Sequence, residues 1–137
     1  MDVIVLIGRI LFTVIFLGSA VNHFTQRGPM AAFAASRGVP AAMLAVVGSG
    51  VLQLLGGLSV LLGIWPDLGA LLLVIFLIPT AVLMHGFWRE SDPQTRQLEM
   101  IQFLKDLSLA GAALMLFAFF AHTDDLGLTI TGPLFNL

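Results

Sequence analysis

The sequence predicts an all-α integral membrane protein: a four-helix bundle of up-down-up-down order, with a short additional helix in the first connection. Four apolar runs, at about 3–24, 41–64, 68–88 and 99–121, match the ~20 residues a helix needs to cross a ~30 Å hydrocarbon core. Composition points the same way. With 58% hydrophobic and 10% charged residues among 137, and a mean hydropathy of +1.02, there is no polar coat for a water-soluble domain. Residues 1–137 are therefore read as a single transmembrane domain.

The first run begins MDVIVLI, without the basic segment of a secretory signal, and Arg9 interrupts what would be its apolar centre. It is read as a retained helix, although Ala31 to Ser36 offer small residues for cleavage. In the first connection, Pro29 is placed to open a short helix that Gly38 closes as a left-handed cap and Pro40 prevents from continuing. The second run is dense in small residues, among them Gly50, Gly56, Gly57, Ser59 and Gly63, which let helix backbones approach closely. Whether the neighbour belongs to this chain or to a second copy is open at this level. Pro79 removes a backbone donor from the third run and should kink it, with the Thr80 hydroxyl expected to re-satisfy the freed carbonyl. Asp92-Pro93 reads as an N-cap followed by proline at the first helical position, so the fourth helix should start in water and enter the membrane near Met100. The tail alternates Leu126, Leu128 and Ile130 with Gly127, Thr129 and Thr131, a weak strand pattern over the outer mouth.

Arg27 and Arg37 lie in the first connection and Arg89 and Arg96 in the third, whereas the N-terminus, the Trp65-Pro66-Asp67 turn and the tail have no Lys or Arg. By the bias of positive residues, connections one and three face the cytoplasm and both termini lie outside. The expected location is a bacterial or archaeal cytoplasmic membrane.

No cysteine is present, so the chain holds no disulfide and supplies no thiol relay or thiolate ligand. A net charge of −2 gives no footprint for nucleic acid, and no phosphate loop or nucleophile elbow is found. Two histidines without an assured third ligand do not make a metal site.

On the first helix, Arg9, Thr13, Phe16, Ala20 and His23 recur at helical spacing and form one stripe. Arg9 and His23 are separated by about 21 Å of helix axis and lie near opposite ends of the span. Arg9 is read as an interface anchor, or as paired internally with a carbonyl, Asp67 or the tail carboxylates, or else as an anion or headgroup site. Gln53, near mid-span in helix two, is expected to make an interhelical hydrogen bond or otherwise to line a cavity. Arg9 and Gln53 are thus a second polar pair, apart from the main constellation.

That constellation is His23, His85, Trp88, Gln102, Lys105 and Asp106, which antiparallel spans bring to the cytoplasmic end. A quinone suits it: its carbonyls need donors, its ring an aromatic wall and its isoprenoid tail lipid access. Plainer roles stand beside this one. His85 and Trp88 suit an interfacial belt, Lys105 and Asp106 can neutralise each other, and His23 with Asn22 can cap the first helix.

The segments GRILFTVIFLGSAVNHF, GVPAAML, LQLLGGLSVLLGIWPDLGALLL, FLIPTAVLMHGFW and QFLKDLSLAGAALML, in that order, resemble the DoxX family of small four-helix membrane proteins of bacteria and archaea. Arg9, the run from His85 to Trp88, and Phe103 to Lys105 make the resemblance specific. Asp106 stands where the family leads one to expect asparagine, and His23 where lysine is common. The resemblance implies a subunit linked to quinol oxidase, to thiosulfate:quinone oxidoreductase or to membrane redox-stress complexes. It assigns neither a catalytic residue nor a certain cofactor. The expected function is a quinone- or lipid-binding partner in membrane electron transfer, acting as a homo-oligomer or with a redox partner protein. The alternatives are a non-catalytic assembly or anchor subunit, or a small transporter with a polar path joining Arg9, Gln53 and the mouth.

Overall fold

A computed structural model describes residues 1–137. Five α-helices follow in chain order: α1 (Asp2–Thr25), α2 (Arg27–Ser36), α3 (Ala42–Leu62), α4 (Pro66–Met84) and α5 (Pro93–Ala121), with a 3-10 turn at Phe87–Arg89 before α5. α1, α3, α4 and α5 are long and apolar enough to cross a membrane. α3 packs between α1 and α4, and α4 packs on α5, whereas no comparable packing joins α1 to α5.

The bundle carries its bulk outward. Ala20, Ala70, Ala81, Ala110 and Ala113 are buried, while Leu11, Val14, Leu44, Leu55, Ile75 and Met115 are exposed. In lipid nothing drives large aliphatic side chains inward, so close packing falls to small residues. Phe16, Leu73, Leu77 and Phe120 fill the larger gaps of the central cluster. Glycines set the α3 contacts. A Cβ on Gly50 would stand 2.9 Å from Cβ of His23, and one on Gly56 would stand 2.9 Å from Leu73. These contacts lie within one chain.

The helix ends follow local chemistry. Gly38 (φ 82°) closes α2, with its N–H donating to Ala35 and that of Val39 to Ala34, as a left-handed cap requires. α4 stops at Met84, earlier than the apolar run suggests, because Arg89 turns back and donates to the carbonyls of Val82 (3.1 Å) and Leu83 (2.7 Å). Asp92 caps α5 by accepting from the Thr95 N–H at 2.9 Å and its hydroxyl at 2.8 Å. These bonds favour the carboxylate and hold the Asp92 carboxyl below the usual aspartate range. Pro79 frees the carbonyl of Ile75, but the Thr80 hydroxyl donates instead to Phe76 at 2.7 Å, because its own i−4 partner lies one residue further on.

The tail is no strand, and its one bridge pairs Ile64 with Gly132. Leu128 adopts a left-handed φ of 60°, which breaks the extended run that alternation suggests. The tail is nevertheless tied down along its length. Ile130 N–H donates to Leu62, Thr131 N–H to Gly63 and Trp65 N–H to Gly132. The fully buried Asp67 carboxylate accepts from the Leu134 N–H at 2.8 Å and the Phe135 N–H at 2.6 Å. A negatively charged group out of water needs such donors, and here the tail backbone supplies them.

Candidate functional site

α1 buries the stripe Arg9, Thr13, Phe16, Ala20 and His23 against the bundle. The stripe thus delivers an imidazole to one end and a guanidinium to the other. At the His23 end, α1, α2, α3, α4 and α5 surround a cavity of about 740 Å³. Mainly apolar walls, including Phe16, Phe33, Leu52, Phe76 and Met84, carry a few polar groups: His23, Gln53, Thr80, His85, Lys105 and Asp106. Such a balance is typical of small-molecule sites.

His23 does not cap α1. Its Nδ1 lies 3.0 Å from the Val46 carbonyl and 2.9 Å from the Ser49 hydroxyl, tying α1 to α3. The cap falls instead to Gln26, whose N–H donates to Asn22. His85 is held by a residue that local reading missed, since its Nδ1 pairs with Glu99 Oε2 at 2.7 Å. Its Nε2 faces Asp106 Oδ2 at 3.9 Å. Glu99 in turn meets Arg37 at 3.5 Å, and Arg37 pairs closely with Glu90. A chain of ionisable groups therefore runs from the cavity wall to the connecting segments. Glu99 lies seven residues before Asp106, two helical turns along the same face, which was the available signal. Nothing local announces Arg37, which arrives from another connection.

Lys105 bonds Gln102 Oε1 at 2.6 Å and lies 3.5 Å from Asp106 Oδ1. Gln102 itself is exposed and off the cavity wall. Trp88 also stands outside the cavity, packed edge-on against Phe87 (5.4 Å) and Phe103 (5.5 Å) and half exposed. The aromatic wall comes from Phe16, Phe33 and Phe76 instead.

Gln53 takes the second of its two expected roles, lining the cavity. It is 1% exposed, yet neither its Oε1 nor its Nε2 has a hydrogen-bond partner. The interhelical bond is not formed. Asp106 Oδ2 is also buried and accepts no hydrogen bond, with His85 Nε2 3.9 Å away. Two acceptors and a donor are thus available on the wall. Arg9 belongs to the other end, where its Nη2 donates to the Leu128 carbonyl at 2.6 Å.

A family model matches residues 4–86, from the first turn of α1 to Gly86, under the description DoxX. The chain belongs to the DoxX family. Within this DoxX protein the matched region carries Arg9, His23, Gln53 and His85, while Lys105 and Asp106 lie on α5 beyond it. Two relatives from Escherichia coli K12 are similar over most of their length. Inner membrane protein YphA is 30% identical over 114 residues, 83% of this chain and 81% of the relative. Inner membrane protein YqjF is 30% identical over 115 residues, 84% of this chain and 82% of the relative. No solved structure matches the chain significantly. This DoxX protein is thus a membrane protein with a mainly apolar cavity, carrying a few polar groups, at one end of its bundle.

Proposed function

We propose that this DoxX protein binds the head group of a quinone, or of another lipid of similar polarity, in the cavity, and serves as a membrane partner in electron transfer. The observation that carries the reading is Gln53, a buried amide on the cavity wall with neither polar atom partnered. A ligand oxygen satisfies it at no cost to the fold, whereas a permanently dry cavity leaves the desolvation penalty uncompensated. A quinone carbonyl accepts from Gln53 Nε2 or Lys105 Nζ. A quinol hydroxyl can also donate to Gln53 Oε1 or Asp106 Oδ2. The apolar walls suit ring and isoprenoid tail. The names of YphA and YqjF support location in an inner membrane.

A transporter needs a polar path through the bundle, and the buried apolar cluster around Phe16, Val60, Leu73 and Leu77 argues against it. The test is quinone content after gentle purification, by extraction and chromatography. One quinone per chain is expected, lost in Gln53→Leu and His85→Ala while the helical circular dichroism is kept. Equal content in all three proteins, or a mouth sealed by another polypeptide, would sink the proposal and favour an assembly subunit.

A further inference from the structure

The Arg9 end holds a second feature that the cavity at the opposite end leaves unexplained. Arg9 is 2% exposed, and its one hydrogen bond goes to a neutral acceptor, the Leu128 carbonyl. Its Nε and Nη1 are buried without any partner. No carboxylate stands within ion-pair distance. The acids at this end are engaged elsewhere or turned to water. Both Asp67 oxygens take tail amides, Asp2 sits against Gly127, and Asp124 and Asp125 lie on the exposed side of the tail. A guanidinium is charged at any physiological pH, and burying it without an anion is among the costliest arrangements in a membrane protein.

Beside it is an opening of fitting shape. Because α1 and α5 do not pack closely, a groove of about 430 Å³ lies between them, lined by Gly8, Arg9 and Phe12 on one side and Ala112, Met115 and Phe119 on the other. Except for Arg9 these walls are apolar. Gly8 adds room, because a Cβ built there meets no atom within 4 Å. Arg9 lies about 10 Å along the helix from Asp2, within reach of the headgroup layer.

We infer that this groove is a binding site for an anionic phospholipid, with the phosphate on the unpartnered N–H groups of Arg9 and an acyl chain along the groove. The Leu128 carbonyl takes one hydrogen of Nη2, so the N–H groups of Nε and Nη1 are left for the charge-assisted bonds that arginine makes to phosphate. A quinone carbonyl, being neutral, does not answer the charge. The lipid fills the gap between α1 and α5 and supplies the counter-ion that the chain lacks.

Native mass spectrometry of delipidated protein, titrated with phosphatidylglycerol, phosphatidylcholine or oleate, tests the site. The protein should retain one phosphatidylglycerol with at least tenfold preference over phosphatidylcholine. Arg9→Gln should weaken retention at least tenfold. Gly8→Leu, which fills the groove but keeps Arg9 and its bond to Leu128, should do the same and so guards against a misfolded Arg9 variant. Quinone content should not change in Gly8→Leu, which separates this site from the one at the other end. Equal retention by the unaltered protein and Gly8→Leu, equal binding of the two lipids, or preference for oleate over phosphatidylglycerol would overturn the inference.

Discussion

Gln53 is the residue whose chemistry and stability pull apart most clearly. An unpartnered buried amide destabilises by about 1–3 kcal/mol, so Gln53→Leu, similar in volume, should raise the ligand-free protein's stability by about that much. Unfolding of the quinone-depleted protein in mixed micelles measures it. A loss of stability instead would mean that Gln53 has a partner in the folded bundle. Asp92 allows a pH prediction. Its folded-state pKa lies below the unfolded value, so its cap contributes fully above the ordinary aspartate range and is lost as pH falls through the lower, folded value. Carboxyl NMR should place the Asp92 midpoint below ~3.9, and Thr95→Ala, which removes the hydroxyl donor but keeps the N–H, should move it part-way back.

At the scale of elements, α3 and α4 are joined where glycine faces glycine and serine. A Cβ on Gly69 would collide with the Ser59 side chain and come within 3.0 Å of the Gly56 carbonyl, so Gly69→Ala should cost about 1–3 kcal/mol by overpacking. On α5, Gly111 meets nothing within 4 Å, and Gly111→Ala should stabilise by about 0.5–1 kcal/mol through helix propensity. Comparing the two variants in one unfolding assay separates packing from propensity. If both are neutral, the tight α3–α4 crossing is wrong. The short α2 helix matters in a different way. It brings Met30, Phe33 and Ala34 to the cavity wall, and the turn after it carries Arg37 to Glu90 and Glu99.

At the scale of the molecule, the tail acts as a latch on the Arg9 end. Asp67→Leu removes the acceptor of two tail amides, and thermolysin should then clip the last residues several times faster while the helices stay folded. An unchanged rate would show that the remaining backbone bonds hold the tail unaided. The lack of cysteine makes orientation directly measurable. A single cysteine at Asp125 should react with an impermeant maleimide from outside the cell, and one at Gln94 only after permeabilisation.

Much of this was legible beforehand because hydropathy and spacing are local properties. Four helices, the α1 stripe, the left-handed Gly38 and the Asp92 cap all follow from residues within a few turns of one another. A helix period makes Arg9 and His23 share a face whatever else the chain does. Bond partners are another matter, since they depend on which helices touch. Glu99 on His85, Val46 and Ser49 on His23, Trp88 outside the cavity and an unpartnered Gln53 were decided by tertiary packing alone. The same holds for the tail, whose amides satisfy Asp67 from 67 and 68 positions further along the chain, and for the gap between α1 and α5 that leaves Arg9 without an anion. Periodicity decides which face a residue occupies; only the fold decides what stands opposite it.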